Sequence, residues 1–274
     1  MAGRSQAKAD ASLVRLAEVH PTSTGHISFL HLDLNDLSTI RASADALRAR
    51  TDRLDVLVHN AGVMFPPKGS ATAQGFELQL GTNCLAPFLL NHFLHPLLAA
   101  TAKSPASASA PPRVVWVSSS ASEMPPKGAI HFEGDGPNYG LKGGPMTLYC
   151  QSKAGNVLHA VEYAERARAD GIISVALNPG NLHSDLQRHL KNPVERFMVG
   201  LMCHPTIFGA YTEIFAATSP EVTIEKTGAY IIPWGRFGVM GSEVTKAIKD
   251  PKEGGNGNMR RFWDWSTEQV KPYM

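Results

Sequence analysis

Tyr149 and Lys153 stand four residues apart in Leu148-Tyr-Cys-Gln-Ser-Lys-Ala-Gly-Asn156. On a helix this spacing sends both side chains from one face, so a phenol and an ammonium can act on one ligand. The chemistry that follows is proton donation. A free phenol has a pKa of about 10 and exchanges protons poorly near neutrality. An ammonium one turn away favours the phenolate and draws that value toward working pH. A Tyr-x-x-x-Lys pair alone also arises by chance on an exposed helix face. Its weight here comes from order along the chain: Asn60-Ala61-Gly62, Asn83, Ser118-Ser119-Ser120, Tyr149 with Lys153, then Asn178-Pro179-Gly180.

Strands and helices in alternation must position these residues. Leu54-Asp-Val-Leu-Val-His59 is a nearly continuous apolar run, the kind buried on both faces of a parallel sheet, and it leads into Asn60-Ala61-Gly62. Arg113-Val-Val-Trp-Val117 is a second such run, ending in the serines, and Ile172-Ile-Ser-Val-Ala-Leu177 is a third, closed by Asn178-Pro179-Gly180. Residues 75–102 read as one or two helices with Pro87 and Pro96 as kinks or breaks. The Tyr149 helix extends to about Asp170. Upstream, residues 6–19 read as a helix and 26–32 as a strand; Asp33-Leu34-Asn35-Asp36 then offers caps for a helix lined by Leu37, Ile40, Ala44 and Leu47. Downstream, residues 228–234 read as a last strand, and the tail, with Trp263 and Trp265, as polar. This alternation predicts an α/β protein with a doubly wound parallel sheet.

The 274 residues, 43% hydrophobic and 18% charged, suit one domain with a sizeable core. A formal charge of +2 is too small for a nucleic-acid or membrane-surface field, which leaves a small molecule as the expected partner. Cys84, Cys150 and Cys203 are odd in number and widely spaced, which favours a reducing compartment and no metal site. The apolar stretch 85–100 is interrupted by Asn91, His92, His95 and Pro96, and the first eight residues have no apolar core, so a cytoplasmic protein with no membrane span is expected.

Taken in order, these motifs resemble the short-chain dehydrogenase/reductase family, and within it the retinol-dehydrogenase-like and fungal reductase branches. The resemblance runs from Met1 to about Trp234 and implies a Rossmann-like fold. It implies that Tyr149 is the general acid/base, that Lys153 holds the nicotinamide ribose, and that Ser119 bonds the substrate carbonyl. Asn83 matches the helix asparagine that orders a proton-relay water. Asn60, Ala61 and Gly62 would run along the adenosine ribose, with Asp33 and Leu34 near adenine. Pro179 and Gly180 form the family's Pro-Gly turn, and Ser184 stands where a Ser or Thr contacts the cofactor. Plainer roles are open to several of these: Ser119 as a strand-end cap, Asn83 as a satisfied buried amide, Asp33 as a helix cap. His59 stands where the family has asparagine and reads as a core histidine.

The family opens with a strand, a Thr-Gly-x-x-x-Gly-x-Gly turn and a helix that cradle the pyrophosphate, and no such turn occurs in this sequence. Met1 to Ser5 resembles the end of the family's second strand, where Arg4 would pair with the 2′-phosphate of NADP. About 30 residues, one strand-helix-strand unit, are therefore expected to be missing, giving an N-terminally truncated fold. Either the strand near Phe29 pairs directly with the strand at Val56, or the Val56 edge lies open. Two readings follow. Met1 is an internal methionine of a longer enzyme, a reading favoured by the survival of every downstream position, or the chain is a cofactor-free remnant acting as a non-redox isomerase or cyclase, or as a binding or regulatory protein.

The expected activity is NADP-dependent interconversion of a carbonyl and an alcohol on a small apolar substrate, with secondary metabolism as its setting. Residues 181–226 serve as the substrate lobe of the single domain 1–274. The family also implies a homodimer through the helices near 85–100 and 150–170.

Overall fold

The computed structural model describes residues 1–22, 25–132, 142–183, 200 and 203–274. Five strands form the main sheet in chain order: β3 (Val56–His59), β4 (Arg113–Val117), β5 (Ile173–Leu177), β6 (Tyr230–Ile232) and β7 (Arg236–Gly238). The first four run parallel, and β7 returns antiparallel beside β6. Every residue of β4 and β5 is buried, which is why both read as unbroken apolar runs. Side chains alternate between two cores. Val114 and Trp116 enter the larger core, whereas Val115 and Val117 enter the smaller one on the opposite face. The sheet is thus covered on both sides, as a doubly wound architecture requires.

A separate two-stranded sheet pairs β1 (Ala2–Gly3) with β2 (Leu30–His31) in parallel. The strand read over 26–32 is therefore only two residues long. Direct pairing of this segment with β3 does not occur, and the open edge is the outcome seen: among the described residues β3 bonds only β4, and Val58 is 36% exposed.

Helix α1 (Gln6–Val19) follows β1 and is capped by the Ser5 side chain, which accepts from Lys8 N. Helix α2 (Ile40–Arg48) packs Ile40 and Ala44 into the core. Helix α3 (Leu78–Ala102) is continuous, contrary to a break at either proline. A π-helical turn at Gly81–Leu85 ends two residues before Pro87, and Pro96 is carried inside the helix. By length and composition α3 could cross a bilayer, with a mean hydropathy of 1.2, but 72% of that window is buried in the protein. Its apolar surface is core surface.

Helix α4 (Pro145–Ala167) carries Tyr149 and Lys153 and is buried along most of its length. Beyond it lie α5 (Thr206–Thr218), α6 (Ser242–Ile248) and α7 (Asn258–Val270). The tail that read as polar is in fact core: Met259, Phe262, Ser266 and Val270 recur at helical spacing on the buried face of α7, and the charged residues between them mask that stripe in sequence. Phe262 stacks on His159 of α4, with centroids 4.6 Å apart and rings inclined by 17°. Strand β7 was likewise not legible. It follows Gly235, whose φ of +81° makes the turn between β6 and β7.

Candidate active site

Three loops leave the carboxyl ends of adjacent parallel strands: Asn60-Ala61-Gly62 after β3, Ser118-Ser119-Ser120 after β4, and Asn178-Pro179-Gly180 after β5. In open α/β sheets this is the end at which ligands bind. Helix α4 lies behind the first two loops and is fastened to β4 at several points. Lys153 Nζ donates to the Val117 carbonyl at 3.0 Å, and Asn156 Nδ2 donates to the same oxygen at 3.1 Å. Ser118 Oγ returns a bond to the Lys153 carbonyl at 2.7 Å. Helix α4 is held to the strand that carries the serines.

Tyr149 is 6% exposed and packs edge-on against Phe65, with centroids 5.5 Å apart. Its hydroxyl lies near the Ser119 side chain. Burial raises the Tyr149 phenol above its ordinary value, and the neighbouring Ser119 side chain draws it part of the way back. The expected lowering by Lys153 does not govern this phenol. The ammonium is directed at the Val117 carbonyl, with Nζ 6.0 Å from the Tyr149 ring centroid, and burial pushes the lysine itself down to about 8. Tyr149 therefore stands protonated at neutral pH, the state a proton donor needs.

Asn83 lies in the π-helical turn of α3 and is 1% exposed. Its Oδ1 accepts from Val63 N at 2.8 Å; its Nδ2 donates to the Val63 carbonyl and to Ser152 Oγ, both at 3.0 Å. The amide is thereby taken up in clamping the residue after Gly62 to α4. This is a positioning role for the side chain. A Cβ on Gly62 would lie 3.0 Å from Asn83 Oδ1 and 3.6 Å from Lys153 Nζ, so both polar groups converge on this turn.

Ser119 Oγ accepts from Ala121 N at 3.2 Å as the cap of the following turn. Gly180 has φ of +88° and receives its shape from Asn178, whose Oδ1 accepts from Gly180 N at 2.9 Å. Asp33 Oδ1 accepts from Asn35 N at 2.9 Å, while the cap of the next turn is Asp36. Leu34 is partly buried against the main core. Asn35 bonds Thr82 Oγ1 at 2.8 Å, which ties the Asp33 loop to the residue beside Asn83. Arg4 is exposed, just past β1 and beside the α1 cap. Ser184 lies outside the described residues. His59 is buried with its ring 4.4 Å from that of Trp116, and burial depresses it to about 4.

Sequence reasoning passed over Ser152 and Asn156. Both were findable: at three residues beyond Tyr149 and Lys153 they share the same face of α4. It also passed over Trp234 and Arg236, which reach the site only through the β6–β7 turn.

A family model described as short chain dehydrogenase matches residues 2–133. A short-chain dehydrogenase/reductase from Phomopsis amygdali is 44% identical over 278 aligned positions, which cover 100% of this chain and 82% of that protein. The chain belongs to the short-chain dehydrogenase/reductase family. Another relative, the short-chain dehydrogenase/reductase pkfC of Emericella nidulans, is 41% identical and covers 100% of this chain and 85% of its own length. Among solved structures, the NADPH-bound carbonyl reductase from chicken fatty liver is similar in fold, with a TM-score of 0.59 and 20% identity over 87% of this chain and 86% of that one. This short-chain dehydrogenase/reductase is accordingly an oxidoreductase.

The turn after β3 fits a ribose of a dinucleotide. Asn60 and Ala61 are exposed past β3, and Gly62 leaves a cradle that a Cβ would fill toward Asn83 and Lys153. The sequence supplies no Gly-rich turn for the pyrophosphate.

Proposed function

We propose that this oxidoreductase interconverts a carbonyl and an alcohol with NADP(H), and that Tyr149, Ser119 and Lys153 are its reacting group. The observation that carries this reading is that the Tyr149 phenol lies close enough to Ser119 for that side chain to act on its pKa, at the open carboxyl end of the sheet with Lys153 one helical turn away. A bound nicotinamide dinucleotide supplies the hydride. Tyr149 gives its proton to the carbonyl oxygen as negative charge develops there, and Ser119 donates a second hydrogen bond to the same oxygen. Lys153 holds the ribose hydroxyls, and its charge favours the phenolate left after proton transfer. Asn60, Ala61 and Gly62 would run along the adenosine ribose, Asp33 and Leu34 would meet adenine, and Pro179 and Gly180 the nicotinamide.

Arg4 supports NADP over NAD. It stands beside the exposed N-terminus of α1, where helix amides and a guanidinium together suit a phosphate. The test is NADPH oxidation by the purified chain against a panel of aldehydes and ketones, with NADH in parallel. The reading predicts NADPH-dependent turnover that Arg4→Ala shifts toward NADH. No turnover with any carbonyl and no binding of NADPH at millimolar concentration would remove it.

A further inference from the structure

A cavity of about 490 Å³ opens on the far side of the catalytic serines from Asn60-Ala61-Gly62, between the ends of β4, β5 and β6. Ser120, Asn181, His204, Trp234 and Arg236 contribute to its wall, and among the described residues no acidic side chain does. The wall is built. Trp234 is wedged under the Pro-Gly turn so tightly that a Cβ on Gly180 would lie 2.6 Å from its ring. His204 meets the indole edge-on at 5.0 Å, and Phe208 braces it at 5.0 Å from another side. The His204 backbone is fastened to the loop after Gly180, donating to the Asn181 carbonyl at 2.8 Å and accepting from His183 N at 3.0 Å. Ser120 Oγ bonds Asn181 Oδ1 at 3.1 Å, which joins this wall to the residue next to Ser119.

Arg236 is the permanent charge of the cavity. Its side chain is exposed, and its Nε donates to the Pro233 carbonyl at 2.8 Å, which tethers the guanidinium at one nitrogen while its terminal nitrogens have no acidic partner among the described residues. A tethered planar cation beside Trp234, itself 36% exposed, matches a flat ring bearing an anionic oxygen: the ring lies on Trp234, and the guanidinium takes the oxygen in a charge-assisted bond. We propose that this cavity is a substrate subsite selecting planar, ring-bearing carbonyl compounds that also carry a carboxylate or an ionised phenol. The inference rests on the carbonyl-reductase reading for the identity of the reacting group. It gives the apolar substrate expected from the sequence one acidic end, held at Arg236 while the carbonyl faces Ser119.

The test is calorimetric binding of 4-formylbenzoate and its neutral methyl ester, without nucleotide, to the full chain and to Arg236→Gln and Arg236→Lys. A charge-assisted bond corresponds to about tenfold or more in affinity. The acid binds the wild type about tenfold more tightly than the ester, Arg236→Gln removes that preference, and Arg236→Lys restores part of it. Equal binding of acid and ester to the wild type, or a preference that survives Arg236→Gln, overturns the assignment. The same probes with NADPH separate the two claims. An acid preference without turnover keeps the subsite and sinks the reductase reading, whereas turnover indifferent to the acid does the reverse.

Discussion

Lys153 is anchored to Val117 by a 3.0 Å bond from its ammonium to the carbonyl that immediately precedes the three serines. With the bonds from Asn156 to the same oxygen and from Ser118 to the Lys153 carbonyl, it fixes α4 against β4 with the cation buried. Burial pushes Lys153 down from 10.5 to about 8, only partly opposed by the field of Cys84.

Activity and stability therefore respond to alkali in opposite senses. The rate kcat/KM for carbonyl reduction holds below about pH 8 and falls above it as the ammonium is lost. The folded pKa lies below the unfolded one, so between pH 8 and 10.5 the unfolded chain binds more protons and Lys153 adds stability as pH rises. The full window is worth about 3 kcal/mol. Denaturant melts of wild type and Lys153→Met across this range should show the rise only in the wild type. A flat difference between the two would contradict the assignment.

Two buried histidines set the acid limit. Burial holds His59 at about 4 and His159 at about 3, against 6.5 for each when exposed. Below pH 6.5 the unfolded chain takes up protons that the folded chain refuses, so stability is complete above 6.5 and is lost as pH falls toward 4. The combined loss is several kcal/mol, enough to threaten a fold of ordinary stability. Urea midpoints at pH 7 and pH 5 check this, and a midpoint unchanged between them would show that the two rings are not kept neutral.

Asn83→Ala would strip Val63 of both its side-chain partners and leave Ser152 Oγ without its donor. The expected cost is about 1–3 kcal/mol of stability for the buried groups left unmet. Because the clamp holds the turn at Gly62, KM for the dinucleotide should rise more than kcat falls. An Asn83→Ala protein with unchanged melting temperature and nucleotide KM would leave the amide without this role.

How much of this was legible in the sequence depended on whether the signal was local. The runs at Arg113–Val117 and Ile173–Leu177 could be read because full burial removes polar residues from every position. Tyr149 and Lys153 could be read because helical period alone puts them on one face. Asn83 offered only its type and its place in the order, since its partner Ser152 is 69 residues away and the clamp exists only after folding. Helix α7 was hidden for a different reason: Arg260, Arg261, Asp264 and Glu268 surround the residues that seal the core, and average polarity conceals a periodic stripe.

That seal has its own test. A Cβ on Gly155 would approach the Phe262 ring to 2.9 Å and Cys84 Sγ to 3.0 Å, so Gly155→Ala overpacks the junction of α3, α4 and α7. A loss of about 1–3 kcal/mol is expected, with Gly155→Ala/Phe262→Leu recovering part of it. If Gly155→Ala melts like the wild type, α7 is not packed there.

The most direct test of the account is Tyr149→Phe, which removes one oxygen and leaves the ring against Phe65. NADPH-dependent reduction of a carbonyl substrate should fall about 10²–10⁴-fold, while thermal unfolding and substrate binding stay near wild type. Undiminished turnover in Tyr149→Phe would contradict the assignment of Tyr149 as the proton donor.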